Sequence, residues 1–141
     1  MSAIDRALLA EKAAAVERHL ARVAEKLPAD GTLVPSTDAS DSVILHLWQA
    51  VQIVIDVGVA VCVHSGLGAP PSYADAFKRL ADAGHIEKDL ADRLARAAGF
   101  RNVVAHAYEA LDLRRVEAAA KSGPADLRAF LARVRDRLPN T

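Results

Sequence analysis

Cysteine is almost missing from this chain. The one thiol, Cys62, has no second to pair with, so no disulfide forms within the chain, and a reducing compartment is its natural setting. Cys62 stands in a valine-rich run and reads as a small buried apolar residue. A Cys/His zinc site is excluded with it. The five histidines, His19, His46, His64, His85 and His106, show no ligand spacing, so neither a metal nor a cofactor is expected. Charge of one sign is missing too. Eighteen basic and eighteen acidic residues leave a formal net charge of zero, which excludes coating nucleic acid by bulk charge but leaves room for a local basic groove. Met1-Ser2-Ala3-Ile4-Asp5-Arg6 carries no apolar signal core and no cleavage pattern, and the chain holds no repeat or low-complexity linker. A cytoplasmic protein is expected.

The 141 residues suggest one domain, 1–141, and a composition 52% hydrophobic suggests a compact one. Leu9, Ala13, Val16, Leu20, Val23 and Leu27 step by four and three, which predicts a helix over 3–27 ending at Pro28. Residues 28–40 read as a loop, with Asp38 or Asp41 as cap for the next element. The segment 41–65 is ambiguous. From Val51 to Val63 β-branched residues recur at odd positions, as in a strand. His46, Gln49, Gln52, Asp56 and His64 nonetheless fall on an arc of about 120° on a helix, and more than twenty residues without a turn exceed the roughly ten of a long strand. A buried helix with a polar stripe is therefore expected; the stripe reads as a site wall or as a satisfied, half-exposed face. Polar residues inside the run argue against a membrane span.

Gly66-Leu67-Gly68-Ala69-Pro70-Pro71 breaks the chain. Ser72 then caps a helix with Asp75 three residues on, and Gly84 ends it. A further helix is predicted over 87–107. Asp112 caps another through Lys121, Ser122-Gly123-Pro124 breaks that one, and residues 125–138 form the last, with Arg128, Arg133, Arg135 and Arg137 spread over solvated surface. The expected class is all-α, an up-and-down bundle of about five to six helices.

Arg101, Asn102, His106 and Tyr108 crowd into eight residues near the end of the 87–107 helix. Arginine holds phosphate by a bidentate fork, histidine moves a proton near neutral pH, and a tyrosine hydroxyl donates a hydrogen bond or accepts a modification. On a regular helix Asn102 lies beneath His106, and Arg101 shares a face with Tyr108, while His106 points roughly 140° away from Arg101. Either the helix ends near His106, or half of a site comes from a second chain. The plainer reading is that Arg101 and His106 complement the helix dipole and cap its free carbonyls.

Pro71-Ser72-Tyr73-Ala74-Asp75-Ala76-Phe77, then Gly99-Phe100-Arg101-Asn102-Val103-Val104-Ala105-His106-Ala107-Tyr108 and Leu111-Asp112, resemble the HepT-like toxins (DUF86) of the HEPN superfamily. Arg101-x4-His106-x-Tyr108 matches that family's Arg-x4-6-His-x-Tyr motif, and the resemblance covers about residues 3–135. It implies a HEPN-like helical bundle that pairs as a homodimer. It implies a metal-independent endoribonuclease with two motif copies facing one cleft. It also implies a toxin neutralised by an MntA-like minimal nucleotidyltransferase, which transfers AMP onto the motif tyrosine, here Tyr108. The residues suit that chemistry. RNA carries its own nucleophile, the 2′-hydroxyl. His106 suits the proton transfers and Arg101 the charge on the phosphorane; Asn102 and Tyr108 support them. AMP on Tyr108 would put bulk and negative charge where phosphate binds. A non-catalytic module that binds a nucleotide or a nucleotidyltransferase is the alternative, and a plain structural bundle is a third.

Overall fold

The computed structural model describes residues 4–139. Five helices run in order: α1 (Arg6–Lys26), α2 (Asp38–His64), α3 (Tyr73–Asp82), α4 (Lys88–His106) and α5 (Leu113–Arg137), with a single 3-10 turn at Tyr108–Ala110 between the last two. Among the described residues there is no strand. The all-α class stands, and the ambiguous segment is helical throughout.

Local chemistry explains most boundaries. The expected start of α1 at residue 3 lies outside the described residues; within them Asp5 caps the helix, its carboxylate accepting from the Leu8 N–H at 2.7 Å. Ser72 caps α3 through the Asp75 N–H, and Asp112 caps α5 through the Arg114 N–H, both as expected. Gly84 follows the end of α3 with φ +82, and the His85 N–H returns to the Leu80 carbonyl at 2.8 Å. Two expectations need correction. Neither Asp38 nor Asp41 caps α2: Thr37 does, through the Ser40 N–H, and both aspartates lie in the first turn. Nor does Ser122-Gly123-Pro124 break the fifth helix; α5 continues through it. Val116, Ala120, Leu127, Phe130, Leu131 and Val134 form one buried seam across the break, and its burial outweighs the carbonyl that Pro124 leaves without a donor.

Helix α2 is the axis of the molecule. It is long and apolar enough to cross a membrane by composition, but Val43, Ile44, Leu47, Val51, Val54, Ile55 and Val57 are buried inside the bundle, and only Leu45 and Val63 of its large apolar side chains are exposed. Around its C-terminal half, Phe77 and Phe130 meet edge to face with centroids 5.4 Å apart. Gly58 permits that pair, since a Cβ there would stand 3.0 Å from the Phe77 ring. Around its N-terminal half, Val43, Ile44 and Leu47 pack with Val23, Val116 and Val104, and this second cluster seats the end of α4. Cys62 is buried as expected; its thiol donates to the Ala76 carbonyl at 3.3 Å, and burial pushes its pKa up.

The polar stripe of α2 divides. His46 turns to α1, where its Nδ1 lies 3.0 Å from the Nδ1 of His19. Such a contact needs one ring to be neutral and accepting. Burial first, then His46 and Arg18, hold the His19 imidazole below its ordinary pKa; burial and Arg137 do the same for His85. Both rings bind protons more weakly folded than unfolded. Their contribution to stability is therefore full above the unfolded value of about 6.5 and is lost as pH falls below it.

Thermal unfolding is accordingly expected at lower temperature as pH drops from about 7 to about 5, with a shallower decline in His19→Gln. A variant that declines in parallel with the wild type would remove His19 from the cause. Pro124→Ala restores a donor for the Ala120 carbonyl and forfeits some stiffness of the unfolded chain. It is expected to stabilise the protein by about 1–2 kcal/mol in urea unfolding. An unchanged or lower midpoint would mean that α5 bears no cost at Pro124.

Candidate active site

Helix α4 ends where the motif does. The Ala107 N–H closes the last turn onto the Val103 carbonyl at 2.8 Å, and Ala107 then leaves the helical region with φ −145 and ψ 43. Val104 is buried against α2 and fixes the rotation of this last turn. Arg101 thereby faces α2 and α3, while Asn102, Val103, Ala105 and His106 are exposed.

Arg101 is held on three sides. Its Nε donates to Gln52 Oε1 at 2.6 Å, its Nη1 donates to Asn102 Oδ1 at 3.2 Å, and its guanidinium lies over the Tyr73 ring, 5.4 Å from the centroid. Gln52 is itself oriented, because its Nε2 donates to Asp56 Oδ1 at 2.9 Å. An amide that must donate at one end and accept at the other has a single orientation, so Asp56 sets the acceptor that Arg101 meets. The Arg101 Nη2 makes no hydrogen bond among the described residues and remains to meet an anion.

Tyr108 follows in the 3-10 turn. Its hydroxyl donates to Asp41 Oδ1 at 2.7 Å, across 67 residues of sequence, and its side chain is 45% exposed. That hydrogen bond first, then burial and the Asp41 charge, push the phenol pKa up to about 12. The His106 side chain makes no hydrogen bond or ion pair to any described residue.

Of the four residues read from the sequence, the structure brings Arg101 and Asn102 together, and ties both Arg101 and Tyr108 to α2. Asn102 lies one turn beneath His106 on α4, as helix geometry requires, but no side-chain hydrogen bond joins His106 to Arg101 or to Asn102, and the Asn102 amide oxygen meets the arginine. Other contributors escape a reading of the motif alone. Gln52 and Asp56 stand in the sequence only as part of a stripe, Tyr73 only as one residue of the Pro71–Phe77 block, and Asp41 as a candidate cap. The spacing of Asp41 and Gln52 is the available signal: eleven residues are three turns plus about 20°, which puts them on one side of α2.

On the other side of α4 a groove of about 640 Å³ runs between α4 and α5, lined by Leu47 and Phe100 among its apolar residues and by Arg96, Arg115, Asp112 and Asp126 among its charged ones. Neither arginine is ion-paired among the described residues. No three of His, Cys, Asp and Glu gather among the described residues as a metal-holding group.

The chain is 29% identical over 106 residues to the mRNA nuclease HepT of Shewanella oneidensis, a match spanning 75% of this chain and 80% of that protein. Its fold superposes on a tri-AMPylated Shewanella oneidensis HEPN toxin in complex with an MNT antitoxin, with a TM-score of 0.82 and 28% identity over 92% of this chain and 97% of that one. A toxin–antitoxin structure solved with AMP-PNP gives a TM-score of 0.84 at 26% identity, covering 92% and 98%. The family profile described as ribonuclease HepT-like matches residues 15–134, and that span takes in α2, α3, α4 and the whole motif, so the chain belongs to the ribonuclease HepT-like family.

Proposed function

We propose that this protein is the toxin of a toxin–antitoxin pair, a cytoplasmic, metal-independent endoribonuclease, and that its antitoxin is an MntA-like minimal nucleotidyltransferase that adds AMP to Tyr108. The observation that carries the reading is the contrast within one helix turn and a half: Arg101 is clamped by Gln52, Asn102 and Tyr73, while His106 stands free in solvent. A fixed guanidinium suits charge that builds on phosphate oxygens, because it needs no reorganisation as the phosphorane forms. An unencumbered imidazole suits proton transfer to or from ribose oxygens. The attack by the RNA 2′-hydroxyl on its own phosphorus then needs a base for that proton, a cation at the phosphate and an acid for the departing 5′-oxygen.

Arg101 and His106 of one chain diverge, so a phosphate on the first is out of line for the second. A homodimer supplies both. The face of α4 that carries His106 also carries Gly99 and Val103; a Cβ at Gly99 would meet nothing within 4 Å, and Val103 is 37% exposed, so a second copy has room to lie there. Arg96 and Arg115, which line the same groove as Phe100 and carry no ion pair among the described residues, offer RNA two cations despite the neutral whole. The antitoxin reading is supported by the tri-AMPylated relative bound to its MNT antitoxin, and by a tyrosine hydroxyl that a partner can reach.

In an RNA cleavage assay His106→Ala is expected to lose about 10²-fold or more of the rate, with helix content and dimer mass unchanged. Cleavage at the wild-type rate would leave a non-catalytic module that binds a nucleotide or its nucleotidyltransferase; an unfolded variant would make the motif structural. Arg101→Ala is expected to lose more than Asn102→Ala, because a charge at the transition state outweighs the hydrogen bond that steadies it. Equal or reversed losses would sink that ranking. Tyr108→Phe is expected to keep cleaving RNA and to escape neutralisation by the co-expressed antitoxin. Protection of cells against that variant would count against Tyr108 as the modified residue.

A further inference from the structure

We infer that Asp41 is the base for the modification of Tyr108: the toxin itself supplies the carboxylate that takes the phenolic proton when the hydroxyl attacks a nucleoside triphosphate. This rests on the reading of Tyr108 as the adenylylated residue. The geometry is already that of a nucleophile and its base. Tyr108 Oη–H donates to Asp41 Oδ1 at 2.7 Å. Both side chains are exposed, so a nucleotide presented by a partner can reach the oxygen without any rearrangement of the helices. No ion pair engages Asp41 among the described residues, so its carboxylate is not committed to a cation.

The contact also makes a base necessary. A phenol held at about 12 is ionised in about one molecule in 10⁵ at pH 7, against about one in 10³ for an ordinary tyrosine. Asp41 therefore suppresses the free phenolate that would otherwise react. The same hydrogen bond gives the proton a place to go once the phosphorus draws electron density from Oη and the phenol becomes strongly acidic. In that step a bond forms from Tyr108 Oη to the α-phosphorus. The bond from that phosphorus to the bridging oxygen breaks, its electron pair leaves with pyrophosphate, and the phenolic proton passes to Asp41 Oδ1, from which water removes it. Asp38, one turn earlier on the same helix, makes no hydrogen bond to the phenol.

The test is the initial rate of AMP addition, read by intact mass, with full-length toxin, the nucleotidyltransferase antitoxin and ATP. Asp41→Asn keeps the size and a hydrogen-bond acceptor but removes the base. It is expected to slow the reaction about 10²-fold or more at pH 7. Its rate relative to wild type should then climb about tenfold per pH unit above pH 7, as a reaction that requires free phenolate does. Asp41→Glu, which restores a carboxylate one methylene longer, is expected to recover part of the loss; a purely structural role for Asp41 would give no such pH slope in the asparagine variant. Asp41→Asn modified at the wild-type rate across that range would overturn the inference while leaving Tyr108 as the target. AMP absent from Tyr108 in the wild type would overturn the functional reading and the inference together.

Discussion

One helix, α2, holds the motif in place from two points on the same side. Gln52 takes the Arg101 guanidinium and Asp41 takes the Tyr108 hydroxyl, eleven residues apart on α2 and seven apart on the motif. The pairing runs in opposite directions along the two segments, so α2 and α4 are antiparallel here. Every other feature of the site depends on this clamp. With Val104 buried between the two anchors, α4 cannot rotate, and the residues between them have no freedom to choose another face. Arg101 must look inward and His106 must look outward. Because α2 is also the helix against which the others bury their apolar faces, the site inherits the rigidity of the core and is not merely a loop laid on it.

Regular structure is legible wherever local chemistry decides it. Ser72 and Asp112 announce their helices because a side-chain oxygen next to free N–H groups has one good use, and Gly84 ends α3 because only a residue tolerant of positive φ reverses the chain there. Length settles α2 against its own strand-like alternation. The failures have a common cause, tertiary context overriding a local rule. Pro124 is a helix breaker by its own geometry, yet the seam from Val116 to Val134 is in register across it and burial wins. Asp41 is a good cap by type, yet Thr37 stands closer to the free N–H groups, and the carboxylate is released to meet Tyr108 from a distant part of the chain.

The site is legible in kind and not in wiring. Arg101, Asn102, His106 and Tyr108 stand out by type and spacing, and the angle between Arg101 and His106 comes from helix geometry alone. Gln52, Asp56 and Tyr73 do not stand out, since nothing local distinguishes a glutamine that orients an arginine from one that faces water. A single sequence holds periodicity within a helix but not the rotation of one helix against another, and that rotation is what brings Gln52 beneath Arg101.

A net charge of zero conceals an ordered arrangement. Asp41, in the first turn of α2, meets Tyr108, whereas Arg96 and Arg115, with Asp112 and the Arg93–Asp126 pair, line the groove on the far side of α4. On the proposed reading, an RNA backbone would be drawn toward Arg96 and Arg115 and repelled from Asp41, over distances of about 8–10 Å before salt screens them. The two ends of the motif thus differ in charge: arginines without ion pairs among the described residues border one side, and a carboxylate with an accessible hydroxyl stands on the other. An adenylyl phosphate on Tyr108 would arrive next to Asp41 after removing the proton that tied the two together, so attraction there would be replaced by repulsion between like charges. The clamp on the Tyr108 side would then open while the Gln52 clamp on Arg101 stayed closed. A single covalent change at the edge of the site would in this way loosen the Tyr108–Ala110 turn, while Val104 keeps the last turn of α4 seated on the core.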